Sequence, residues 1–140
     1  MASAARGIAL LLLAVSVALI IAATTMPWSM YYVGHSHWAN VEWLPFSRRV
    51  RPNDFLLNIL LFVPFGFSAQ LCGTASRERV HDRLVGLVVA AAFLLSVAAE
   101  VFQVYCHGRL PTTTDIISNA LGAYLGTFIG RDRSSRTTTR

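Results

Sequence analysis

The chain has 140 residues, 54% of them hydrophobic and only 14% charged, where a soluble domain carries about 25% charged residues. Its 12 basic residues, all arginines, outweigh seven acidic ones for a net charge of +5. The length confines the chain to one domain, the composition excludes disorder, and two cysteines exclude a disulfide scaffold. The arginines lie in short clusters between long apolar runs, which fits the basic loops of a membrane protein and not a nucleic-acid surface.

The first apolar run covers residues 8–25, close to the ~20 residues that a spanning helix needs. A signal peptide is the competing reading, because Arg6 precedes the run and Ala22 and Ala23 could sit near a cleavage site. The run is long for a signal-peptide core, however, and Trp28, Tyr31 and Tyr32 follow it as aromatics do at a membrane interface, so a retained helix is expected. The loop beyond carries His35 and His37. With no third ligand nearby in the sequence, an exposed loop pair is expected there rather than a metal site.

The second run, residues 55–71, is interrupted by Asn58, Pro64 and Gly66, and a kink is expected at the proline. The third, residues 84–105, carries Glu100 and Gln103 near its end. The fourth, residues 114–130, opens with Asp115 and Asn119 and continues through Gly122, Gly126 and Gly130. Those two GxxxG spacings allow close helix approach and offer a face for a homo-oligomer. At ~1.5 Å per residue the second and fourth runs reach about 26 Å and just cross. Hydrocarbon offers no partner to backbone amides, so all four runs must be helical. The expected fold is an all-α, four-helix transmembrane bundle over residues 1–130, followed by a basic, unstructured tail at 131–140.

Orientation follows from the arginines. Arg6, the loop residues Arg77, Arg79 and Arg83, and the tail residues Arg131, Arg133, Arg136 and Arg140 fall on one side. Arg48, Arg49, Arg51 and Arg109 fall on the other. Eight against four predicts a multi-pass protein with both termini in the cytoplasm. Cys72 and Cys106 are then at opposite faces and cannot pair.

Polar residues are grouped by helical spacing. Asp54 and Asn58 share a face at the start of the second run, and Glu100, Gln103 and His107 form a stripe at the end of the third. Asp115 and Asn119 share a face at the start of the fourth. All of these, with Arg109 in the short turn, are expected at the outer surface. Asp54 and Asp115 can act simply as helix-capping carboxylates. Asn58, Gln103 and Asn119 can serve as interhelical hydrogen bonds worth about 0.6 kcal/mol each. Glu100 resists so plain an account, since an intramembrane charge costs about 2.5–3.5 kcal/mol and needs a positive partner, a proton or a metal, Arg109 being the obvious partner.

Three segments taken together resemble the VanZ-like family: Asn58-x-x-x-Phe62-Val63-Pro64-Phe65-Gly66, Glu100-x-x-Gln103 followed by Arg109, and Asp115-x-x-x-Asn119-x-x-Gly122-Ala123-x-x-Gly126. The resemblance implies a small integral protein of the bacterial inner membrane and, through the family's namesake, a link to glycopeptide (teicoplanin) resistance. It supplies no reaction and no cofactor. Asn58, Glu100, Gln103, Arg109, Asp115 and Asn119 occupy the family's polar positions.

Two functions fit these residues. In the first, an enzyme or binding protein handles an anionic envelope lipid or lipid-linked cell-wall precursor at the outer leaflet. Glu100, Arg109 and Asp115 are its candidate catalytic residues, and Asn58, Gln103, His107 and Asn119 its candidate binding residues. Arg109 would hold the anion and Glu100 would act as general acid or base. Asp115 with Glu100 and Asp54 would suit a divalent metal, although no spacing shows a closed metal shell. In the second, the protein is not a catalyst, and the same residues form a buried network, with Glu100 paired to Arg109, that sets the helix arrangement. A transporter is a weaker third reading, because four helices are few for a pathway without oligomerisation.

Overall fold

The computed structural model describes residues 2–28, 31, 34–47, 51–73 and 78–138. Tyr32, Arg48, Arg49, Arg77 and Arg140, used in the sequence reading, lie outside them. The described chain is all-helical in its regular structure, with α1 (Ala2–Thr25), α2 (Pro52–Cys72), α3 (Glu78–Gln103) and α4 (Thr113–Thr138) joined by loops. A short 3-10 turn, Trp38–Asn40, interrupts the long loop between α1 and α2.

Three helices are long and apolar enough to cross a membrane, over Ala4–Thr25, Pro52–Cys72 and Asp82–Gln103. Their outer faces expose Leu10, Leu11, Leu57, Leu60, Leu87 and Leu94. A soluble surface would not tolerate so continuous an apolar coat, whereas hydrocarbon favours it. α4 does not reach the same standard, because its first turns are polar and its last turns basic.

The helices begin earlier than the apolar runs do. α2 starts at Pro52, whose fixed φ and missing N–H suit the first helical turn. α4 continues through Thr138, where the sequence reading ended the helix at Gly130 and placed an unstructured tail. After Gly130 no proline or glycine stops the ladder.

Among the described residues α2 and α4 form the largest helix–helix interface, and they run parallel, from Asn58 beside Asp115 to Gln70 beside Gly130. The register is made by glycine. A methyl group built on Gly122 would overlap the Ile59 carbonyl oxygen, one on Gly126 the Val63 carbonyl oxygen, and one on Gly66 the Ala123 carbonyl oxygen. The two backbones therefore touch directly, a geometry that brings Cα–H groups onto carbonyls. Gly130 continues the contact against Gln70. The glycine face that the sequence offered to a homo-oligomer is thus occupied within the chain. Pro64 sits inside α2 without breaking the helix, and the Ser68 hydroxyl donates to the Pro64 carbonyl oxygen.

α1 packs on α2, and α3 packs on α4. Ile20, Phe62, Phe65, Val88, Ala92 and Ala123 form the buried core between them. Arg6 near the start of α1 lies within electrostatic reach of Cys72 at the end of α2, while Gln103 at the end of α3 reaches Thr24 at the end of α1. The start of α1 and the end of α4 therefore share one end of the bundle. Cys72 and Cys106, both unpaired as thiols, lie at opposite ends.

At the Cys106 end, the α1–α2 loop is laced to the α3–α4 turn. Tyr31 pairs with Cys106 and Glu42 with Thr112 in isolated β-bridges. The His37 N–H donates to the Val104 carbonyl at 2.9 Å, the Glu42 N–H to Pro111 at 3.0 Å, and the Thr113 N–H to Glu42 at 3.0 Å. The Thr113 hydroxyl adds bonds to the Glu42 and Trp43 carbonyls, both at 2.9 Å. The Tyr31 ring stacks on Phe102, centroids 4.9 Å apart and planes 3° from parallel. The loop is a cap over this end.

Candidate functional site

The cap end gathers the polar residues singled out from the sequence, and most of them tie one element to another. Asn58 Nδ2 donates to Asp115 Oδ1 at 2.7 Å, joining α2 to α4. One turn deeper, Asn119 Nδ2 donates to Ser96 Oγ at 2.7 Å, joining α4 to α3. Both Asn119 and Ser96 are buried. Gln103 Nε2 donates to the Thr24 carbonyl at 3.1 Å, joining α3 to α1.

Arg109 departs from its expected place. Its Nη2 donates to the carbonyl oxygens of Ala23 at 3.4 Å and Met26 at 2.8 Å. Those are carbonyls at the C-terminal end of α1, where a cation opposes the negative end of the helix dipole. The guanidinium does not form an ion pair with Glu100, although its charge acts on Glu100 at longer range. The expected Glu100–Arg109 pair gives way to a helix cap because α1 ends beside the turn and its last carbonyls need donors.

The carboxylates also sort differently from expectation. Thr112, and not Asp115, caps α4: the Asp115 N–H donates to Thr112 Oγ1 at 3.1 Å. Asp115 stays in the first turn, where its charge suits the helix N-terminus. Asp54 occupies the first turn of α2 and is exposed. Among the described residues no three of His, Cys, Asp and Glu are arranged to share a metal ion. The metal arrangement of Glu100, Asp115 and Asp54 therefore has no geometric support.

His107 lies beyond the end of α3, in the turn to α4. Its ring meets His37 edge-on, centroids 4.9 Å apart, and His35 at 5.8 Å. The loop pair thus has a third imidazole beside it, brought by the α3–α4 turn from 70 residues further along the chain. The three rings pack the cap against the end of α3.

Glu100 is the exception. It is 8% exposed, and Oε2 accepts the Thr112 N–H at 2.8 Å. Of the seven candidate site residues it alone lines a cleft of about 90 Å³ between α3, α4 and the cap. Val97, Val101 and Val104 form one wall, Ile116 another, and Trp38 and Trp43 the side toward the cap. The two indoles stack, centroids 6.3 Å apart and planes 6° from parallel. The cleft is an apolar slot with one carboxyl group set into it.

Sequence reasoning missed Thr112, Ser96 and the two tryptophans. The Thr112-x-x-Asp115 spacing is a helix-start signature that could have found the first. Nothing in the local sequence marks the others, whose roles come from segments far apart in the chain.

With the buried acid, the α2–α4 glycine contact and the capped turn in place, the comparison with known families is decisive. The VanZ/LLP1 family model matches residues 9–131. The chain belongs to the VanZ family. The match reaches into all four helices and includes all seven candidate site residues. No curated protein and no solved structure matches the chain significantly.

Proposed function

We propose that this VanZ-family protein crosses the bacterial inner membrane four times, with both termini in the cytoplasm. We further propose that its cleft holds the apolar part of a cell-envelope lipid or lipid-linked cell-wall precursor at the outer face. The observation that carries this reading is the position of Glu100. Six of the seven polar residues are engaged in joining helices or packing the cap, while Glu100 faces an apolar slot. Burying a carboxyl group there is costly unless something uses it.

The crossing of α4 is supported by its parallel contact with α2, a helix apolar enough to span, from Asn58–Asp115 to Gln70–Gly130. Its outer face exposes Leu121, Leu125, Phe128 and Ile129, as lipid contact requires. The arginine distribution supports the cytoplasmic termini. An anionic head group would lie at the rim on the side of Arg109, outside the cleft. Glu100 is the one group of the cleft able to take or give a proton, so any modification of the lipid would run through it. A role in glycopeptide susceptibility would arise from this same outer-face lipid.

The test is the lipid that accompanies the protein. Mass spectrometry of protein extracted from native membranes in mild detergent should show one envelope lipid class enriched over the bulk membrane. Glu100→Gln and Val97→Phe should lose that enrichment at normal abundance of protein. Identical lipid profiles for wild type, both variants and bulk membrane would reject the reading.

A second reading, that the polar residues serve only to fix helix packing, is favoured by the number of them found in interhelical bonds. Even Glu100 accepts a backbone bond from Thr112. It predicts that Glu100→Gln leaves the lipid profile unchanged and alters only stability.

A further inference from the structure

Resting on the lipid-binding reading above, we infer that the cleft selects a single hydrocarbon chain bearing a neutral hydrogen-bond donor, of the hydroxyl class, and rejects a chain carrying a fixed negative charge. The size of the cleft limits its occupant. A buried water needs on the order of 10–15 Å³ of such space, so about 90 Å³ admits a short stretch of one chain and its attached group. A sugar or peptide head group must remain outside.

Depth points to a lipid chain as that occupant. Val97, Glu100 and Val101 belong to the span Asp82–Gln103, so the wall they form lies at the level of hydrocarbon. At the mouth, Trp38 and Trp43 remain 42% and 67% exposed. Indoles in that state favour the layer where chains meet head groups. The slot therefore opens at the depth where the polar junction of a lipid resides.

Charge decides which junction fits. Glu100 is the one ionisable side chain of the lining, and no cation accompanies it there. One of its oxygens takes the Thr112 N–H; a carboxyl group has further lone pairs, so it can accept a second donor from the cleft. An anion at the same place would give up its water against an apolar lining that holds no cation. Arg109 does not line the cleft, and its Nη2 donates to the carbonyls of Ala23 and Met26. A phosphate or carboxylate is consequently held at the rim, and a hydroxyl can pass.

The experiment uses the full chain in phosphatidylcholine vesicles with Trp28→Phe and Trp38→Phe, which leave Trp43 as the single tryptophan. A long-chain alcohol and an alkyl sulfonate of equal length, each brominated near its polar end, are titrated as quenchers. Saturable quenching by the alcohol at about one-tenth the half-effect concentration of the sulfonate is expected, the ratio one net hydrogen bond provides. Glu100→Ala should narrow that difference by weakening the alcohol, and Val97→Phe should weaken both probes together. If Glu100→Ala fails to accumulate, Glu100→Gln carries the same test, since its amide N–H groups offer the sulfonate donors and should narrow the ratio. Equal saturation by both probes overturns the selectivity and leaves lipid binding standing. Tighter sulfonate binding also overturns it. Quenching by neither probe beyond linear collisional dependence removes the lipid-binding reading as well.

Discussion

Asn58 and Asp115 are 57 residues apart and meet at 2.7 Å, so the value of each depends on the other. Asn58→Leu should leave the partly buried Asp115 carboxylate without its amide donor and cost about 1–3 kcal/mol. Adding Asp115→Leu should recover much of that loss, because a pair removed whole leaves nothing unsatisfied. Unfolding by SDS in mixed micelles across the double-mutant cycle measures the coupling, and strict additivity would count against the contact. Cys106, just beyond α3, gives a pH prediction. Burial raises its thiol pKa, against a smaller lowering by Arg109. A raised folded pKa keeps the thiol neutral, so alkylation should be slow at neutral pH and should accelerate only as the pH rises past the ordinary thiol range. The same shift stabilises the fold below the unfolded thiol pKa, and the contribution fades as the pH climbs through the folded one.

Among the elements, the α2–α4 pair has the least room for change. Gly126→Ala should force the Val63 carbonyl and the Phe67 amide away from α4 and destabilise by about 1–3 kcal/mol, the usual range for overpacking. Gly86→Ala on α3 is the control. A methyl there meets nothing, and the gain in helix propensity should make it neutral or stabilising by up to about 1 kcal/mol. Equal losses at both positions would mean that α2 and α4 do not touch. Arg109 joins the turn to α1 in the same way. Arg109→Gln should loosen the end of α1 while Arg109→Lys preserves part of the cap, a difference readable as faster amide exchange at residues 23–26. Because Arg109 and Glu100 do not pair, deleting both charges should not rescue either single variant.

For the whole molecule the open quantity is orientation. With native Cys72 and Cys106 replaced, single cysteines at Arg83, Leu110 and Arg131 report it, all three being exposed positions. Leu110 serves better than Arg109, whose side chain holds the end of α1. An impermeant maleimide applied to intact cells should label Leu110→Cys alone. Labelling at 83 and 131 instead would turn the cap and its cleft toward the cytoplasm, and the outer-leaflet lipid would be the wrong ligand.

Hydropathy and arginine spacing were enough to establish an all-helical membrane protein, since apolar runs near 20 residues have few alternatives in hydrocarbon. The polar positions were legible too, because i, i+4 spacing shows which residues share a face of one helix. Their partners were not legible. That Gly122 and Gly126 face α2 of the same chain, that Arg109 caps α1, and that Thr112 reaches Glu100 depend on which helices become neighbours. Two tryptophans in a loop look like interfacial anchors wherever they occur. Only the lacing of that loop to the α3–α4 turn, through hydrogen bonds between segments about 70 residues apart, makes them a wall of the slot that contains Glu100. Local periodicity decides secondary structure and burial along one helix. Contacts between helices are decided by packing, which no single segment encodes.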